Sequence, residues 1–191
     1  NSTHGVISKY GVTNAKSEYS IEVIGLNVAV RMNASGETTK SSNGTLVENT
    51  WNHVLVEHDT GTDLKITING GSPETLAYTS GNTVSSDADF HIGRRGSSAV
   101  YSNGRIAQVG FWKRVLSAAE RTELWNTGGG LAYKDFDSSL KTSLVSFWPL
   151  SEAGGNAIDQ HGNNDLTDYN TVIAANGPIG PISYQWKREG V

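Results

Sequence analysis

Residues 57 to 59 read Glu-His-Asp, which sets two carboxylates two positions apart on one face of an extended segment. Glycoside hydrolysis of the retaining kind uses an acid and a nucleophile whose carboxyl groups stand about 5–5.5 Å apart. No third acid continues this face, because position 61 is Gly and position 62 is Thr. The run reads better as a strand entering a Thr60-Gly61 turn, and hydrolysis is set aside. The five histidines (4, 53, 58, 91 and 161) show neither His-x-His nor His-x-x-x-His spacing. His53 and His58 are an odd number of residues apart, which puts them on opposite faces of a strand and prevents joint chelation. No serine sits in a Gly-x-Ser-x-Gly elbow. The Gly128-Gly129-Gly130 run follows a helical pattern, and anion loops precede one. No enzyme is expected.

The elements that must carry any site are strands. Tyr19, Ile21 and Val23 alternate with Ser20 and Glu22; Leu26, Val28, Val30 and Met32 repeat the pattern, as do Leu64, Ile66 and Ile68. Each run has a dry face and a wet face, as in one sheet of a sandwich. Asn69-Gly70, before Thr75 to Thr79, marks a hairpin, and Asn43-Gly44 and Asn103-Gly104 mark further turns. Ile106 to Trp112 and Leu144 to Leu150 are apolar on both faces and suit central strands. Ser117-Ala118-Ala119-Glu120 is a capping box that predicts a helix of about ten residues ending at Gly128. Trp51, Trp112 and Trp148 belong to the core, and Trp125 is expected to dock the helix on the sheet.

The composition agrees with many short strands and turns: 36% apolar, 18% charged, and 22 glycines in 191 residues. A net charge of −4 with no basic stripe argues against nucleic acid. No apolar run is long enough for a membrane span, so membrane insertion is not expected. There is no cysteine, hence no disulfide and no thiolate site. The chain opens on Asn1 rather than Met, which leads us to expect a removed leader or a piece of a longer chain.

Five segments, taken in order, resemble a known family. Trp51-Asn52-His53-Val54, Leu64-Lys65-Ile66-Thr67-Ile68-Asn69-Gly70, His91-Ile92-Gly93-Arg94, Gly104-Arg105-Ile106-Ala107-Gln108-Val109-Gly110-Phe111-Trp112, and Arg114-Val115-Leu116-Ser117-Ala118-Ala119-Glu120 are similar to the motifs of laminin-G-like jelly rolls. The resemblance implies an all-β fold: an antiparallel two-sheet jelly-roll sandwich of the concanavalin A-like kind, with one short helix. Glucanases of that fold carry Glu-x-Asp-x-Glu, which Glu57-x-Asp59 does not complete.

The motif order departs from the family. Leu144 to Gly155 and Asp159 to Leu166 look like segments that usually open such a domain, yet here they follow the helix. The chain is read as a fragment of tandem modules, a circular permutation, or a sandwich exchanging strands with a neighbour. Residues 1–175 are expected to form the sandwich, with the main motifs in 1–132 and the missing strands in 140–175. Residues 176–191, set off by Pro178 and Pro181, read as a linker and a possible strand of an immunoglobulin-like unit.

Two binding expectations follow. The resemblance implies a Ca²⁺ at a sandwich rim, and two loops offer hard oxygen ligands: Asp159 with Asn163, Asn164 and Asp165, and Ser86 to Asp89. Ordinary turn chemistry, in which Asp and Asn bond their own backbone, is the competing reading. Tyr101 beside Arg94 and Arg95 is the candidate ligand contact, on a loop where a rigid sandwich would present one, against a merely solvated loop. Asn1-Ser2-Thr3, Asn33-Ala34-Ser35 and Asn43-Gly44-Thr45 are glycosylation sequons. The expected function is a non-catalytic extracellular binding or adhesion module for glycans or an extracellular protein, with Ca²⁺ as the cofactor to test. The alternative is a structural part of a virion surface or a repeat of a surface adhesin, forming homo-oligomers or joining a neighbouring module through strand exchange.

Overall fold

The computed structural model describes residues 2–11, 17–33, 37–59, 63–78, 83, 85–96 and 100–169, with backbone alone at 37–40. The Thr60-Gly61 turn, part of the 97–103 loop, two of the sequons in part, and residues 170–191 lie outside the described residues.

Among the described residues ten strands and two α-helices follow one another: β1 (Thr3–Lys9), β2 (Tyr19–Ile24), β3 (Asn27–Asn33), β4 (Glu37–Thr45), β5 (Val54–Asp59), β6 (Asp63–Ile68), β7 (Glu74–Ala77), β8 (Phe90–Ile92), β9 (Val109–Trp112), α1 (Ala118–Trp125), α2 (Ser138–Lys141) and β10 (Leu144–Trp148). All pairings are antiparallel. One layer is a five-stranded sheet in the order β4-β3-β2-β1-β8. Opposite it stand two pieces, β5-β6-β7 and β10-β9. Both pieces contribute to the same inter-sheet core: Leu64 and Ile66 from the first, Val109 and Trp148 from the second, against Val23, Val28 and Val30. Their other faces meet a second cluster, in which Leu55, Leu144 and Phe147 pack under Leu124 of α1 and Leu140 of α2. Sharing both faces makes them two parts of one layer. The architecture is the all-β sandwich that the alternation predicts.

The helix begins as expected. Ser117 Oγ accepts the Glu120 N–H at 3.3 Å, and Glu120 returns the bond to the Ser117 N–H at 2.8 Å. It ends earlier than Gly128, because Asn126 takes a left-handed conformation (φ 43°) and stops it at Trp125. The Trp125 ring lies over Gly70 of the β6–β7 turn, where any Cβ would run into the indole. That is the docking role expected of it. The second helix, a single turn, was not anticipated.

Two strand readings are corrected. Asn43-Gly44 is no turn but lies inside β4, where Asn27 pairs with Thr45 and Ala29 with Ser41, so β4 carries two extra residues. Ser42 holds this bulge: its Oγ accepts the Val28 N–H and its carbonyl accepts from Asn27 Nδ2. The Ile106 to Trp112 run forms a strand only from Val109, because Gln108 sits at φ 52°.

Candidate binding site

The outer face of the five-stranded sheet is polar because its residues are the even members of the alternation. Ser20 and Glu22 on β2 point away from the core that Ile21 and Val23 enter, yet both are fully buried. Glu22 Oε1 accepts from Ser20 Oγ at 2.7 Å and from Arg31 Nε at 2.9 Å, and Arg95 Nη1 lies 3.4 Å from both carboxylate oxygens. The cover over these residues is the chain after β8. It turns at Gly93 and folds back across β1.

That hairpin is held tightly. Ser8 Oγ donates to the Arg94 carbonyl at 2.9 Å and accepts the Gly96 N–H at 2.8 Å. The Arg95 backbone rests directly on Gly5, and a Cβ at Gly5 would collide with the Arg95 amide. Arg95 N–H donates to Val100 O at 2.9 Å, and Ser102 N–H to Gly93 O at 2.7 Å. A rigid sheet thus presents a hairpin on fixed supports.

Of the three residues expected to contact a ligand, the structure brings two together. Arg94 and Tyr101 pair across the hairpin, with the guanidinium carbon 5.7 Å from the Tyr101 ring centre. Tyr101 is 51% exposed. Arg94 Nε is buried without a hydrogen-bond partner among the described residues. Arg95 turns the other way, onto Glu22 and the Tyr10 ring. It supports the hairpin instead of extending the exposed pair. Glu22, Arg31 and Ser8 escaped sequence reading, because a polar residue on the wet face of an alternating strand looks solvent-exposed until its cover is known.

The four residues considered for Ca²⁺ are gathered in one loop, but its central carboxylate does not fit that ion. Asp159 Oδ1 accepts the N–H groups of Phe147 (2.9 Å), His161 (3.0 Å) and Gly162 (3.0 Å), and Oδ2 accepts that of Asn164 at 3.2 Å. Burial would push this carboxyl up, but the Phe147, Gly162 and His161 amides together outweigh burial and hold it well below the usual carboxylate range. Asp165 is turned to the Asp159 N–H at 2.9 Å, and the Asn164 carbonyl accepts from Trp148 Nε1 at 2.7 Å. Calcium needs six to eight converging oxygens. Here N–H donors surround the best-placed ones. No contact of the Asn163 side chain joins the set. In the Ser86 to Asp89 loop, Ser86 Oγ accepts the Ala88 N–H, as in an ordinary turn. Among the described residues no three or more His, Asp or Glu side chains form a metal cluster.

Glu57 is buried against Arg121, with Nη1 to Oε1 at 3.2 Å, and its carboxylate also accepts the Leu116 N–H. Asp59 is exposed, whereas the Glu57 carboxylate is committed to Arg121 and the Leu116 N–H.

An antiparallel sandwich presenting a polar face and a clamped aromatic–arginine hairpin defines a lectin-like binding module. A family profile of laminin G type, described as the concanavalin A-like lectin/glucanases superfamily, matches residues 1–120, and the chain belongs to this family. No curated protein and no solved structure gave a match. Domains of this type are typically non-catalytic and often extracellular. Among the described residues no helix is long and apolar enough to cross a membrane.

Proposed function

We propose that this chain is a non-catalytic extracellular module that recognises glycans through the Arg94–Tyr101 pair. The carrying observation is that pair itself: a half-exposed aromatic ring with a guanidinium stacked on it. A pyranose ring presents apolar C–H faces for Tyr101 and hydroxyl oxygens for Arg94. The positive charge of Arg94 favours sugars bearing a carboxylate or sulfate.

A glycan array with acidic and neutral members tests the reading. Binding to acidic glycans that is lost in Arg94→Ala and in Tyr101→Ala supports it; an array that stays blank at high protein concentration rejects it.

A further inference from the structure

Three Asn-Gly pairs occur in the chain, at 43–44, 69–70 and 103–104. Asn-Gly is prone to modify itself in water, because glycine has no Cβ to shield its amide nitrogen from the Asn side chain. In that reaction the nitrogen bonds to the Asn Cγ, so the Asn residue must first leave the extended range, with ψ near about +135°. What holds each pair therefore decides whether it reacts.

Two of the pairs are held. Asn69 Oδ1 accepts the His53 N–H at 2.8 Å, its Nδ2 donates to Asn52 Oδ1 at 3.0 Å, and the Trp125 indole covers Gly70. Asn43 and Gly44 lie inside β4, between the Ala29–Ser41 and Asn27–Thr45 pairs. The Asn43 N–H donates to Glu74 Oε2 at 2.8 Å, and the Gly44 carbonyl accepts from Ser42 Oγ at 2.7 Å. The third pair differs. Asn103 and Gly104 are both exposed and lie outside any strand or helix. Just before them the Ser102 N–H donates to Gly93 O at 2.7 Å, which fixes the hairpin and leaves Asn103 in water.

We infer that Asn103 is a self-modifying site, whose conversion to an acid weakens the neighbouring Arg94–Tyr101 pair towards acidic sugars. The Gly104 nitrogen gives up its proton as it bonds to Asn103 Cγ; the Cγ–Nδ2 bond breaks, and Nδ2 leaves as ammonia with that proton. Water then adds its OH to one of the two ring carbonyls, and its proton returns to the Gly104 nitrogen as the C–N bond opens. The net change is amide plus water to carboxylic acid plus ammonia. Opening at the main-chain carbonyl gives isoaspartate, in which the chain runs through Cβ. The new carboxylate stands close to the binding pair, because the two residues from Tyr101 to Asn103 span at most about 7 Å. That lies within the screening length of about 8 Å at physiological salt. Two like charges at such a distance in water repel enough to weaken binding about threefold. The effect on binding rests on the glycan reading; the conversion does not.

The full 191-residue chain is aged for weeks at body temperature in mildly alkaline buffer, and its sites are mapped by peptide mass spectrometry. Asn103 is expected to convert at least about tenfold faster than Asn43 or Asn69, since each of those must first break its hydrogen bonds. Asn103→Gln, whose closure would need a six-membered ring, should stay intact at that position. Binding is read with a sulfated and a uronate-containing disaccharide. Asn103→Asp, at an unchanged melting temperature, should bind them about threefold more weakly, and Asn103→Gln as well as the unaltered chain. Conversion of Asn43 or Asn69 as fast as that of Asn103, or none at Asn103, would overturn the inference, as would equal measurable binding by the two variants. An unaged chain that ignores both disaccharides overturns the glycan reading and the binding effect with it, whereas the peptide map judges the conversion separately.

Discussion

The Phe147 amide of β10 points at the Asp159 carboxylate, 2.9 Å away, while the Phe147 carbonyl accepts the Gln160 N–H at 2.8 Å. A loop thus makes, at the outer edge of β10, the bonds that a further strand would make. Uncovered edges recruit other chains. Asp159 closes this one.

Replacing Asp159 by Ala leaves the buried Phe147 N–H and the part-buried His161 and Gly162 N–H groups without their acceptor. With about 1–3 kcal/mol for a buried unsatisfied donor and less for the two that water can reach, the loss of stability is expected to be about 1–3 kcal/mol. Urea denaturation measures it. Because the carboxylate serves the loop and not a metal, millimolar CaCl₂ is expected to leave the melting temperature of the unaltered chain unchanged, and a rise of several degrees would contradict the assignment.

Acid should weaken the fold in two stages. His53 is buried beside Trp125, 5.6 Å between ring centres, and burial lowers its pKa from 6.5 to about 4. The unfolded chain then binds more protons than the folded one between these values, so stability is full above pH 6.5 and falls as pH drops towards 4. The whole effect amounts to about 3 kcal/mol. His58 and His91 are shifted the same way and add to the slope. His53→Leu should remove most of the pH dependence between 6.5 and 4, read from urea midpoints across that range. Below it, Glu120 (lowered by Arg114 against burial) and Asp159 lose their contribution as they protonate.

Local patterns were legible in the sequence and partner-dependent ones were not. The capping box spans four residues and needs no context, so Ser117 and Glu120 meet as expected. The core face of β2 follows from period-two alternation. Asn43-Gly44 misleads because its conformation is set by β3, whose Val28 N–H seeks the Ser42 hydroxyl. Arg94 and Arg95 were grouped by adjacency, although successive residues of an extended chain point to opposite sides. Asp159 showed its acidic character but not its donors, which come from residues as distant as Phe147.

Gly5→Ala tests the hairpin clamp without touching a charged group. The new methyl group meets the Arg94–Arg95 backbone and cannot be relieved by a side-chain rotation. Overpacking against backbone of this kind is expected to cost about 1–3 kcal/mol. Its readout is a lower urea midpoint together with faster exchange of the Arg95 and Gly96 amides, while the β5 to β7 amides keep their rates.

Arg95 and Tyr101 should fail in different ways, which separates support from contact. Tyr101 is exposed and stacks with Arg94, so Tyr101→Ala removes ligand surface and lowers the melting temperature by no more than about 4 °C. The internal cation–π contact with Arg94 is worth about 0.5–1 kcal/mol at an exposed site, and loss of the ring itself abolishes glycan binding on the array. Arg95→Ala instead leaves the buried Glu22 carboxylate with one guanidinium fewer and unpins the hairpin. Its expected signature is a destabilisation of about 1–3 kcal/mol and loss of binding together. Lys at position 95 restores the charge but not the planar stack on Tyr10, so it should recover stability only in part. Equal melting temperatures for the Tyr101→Ala and Arg95→Ala variants would show that the hairpin stands without its anchor.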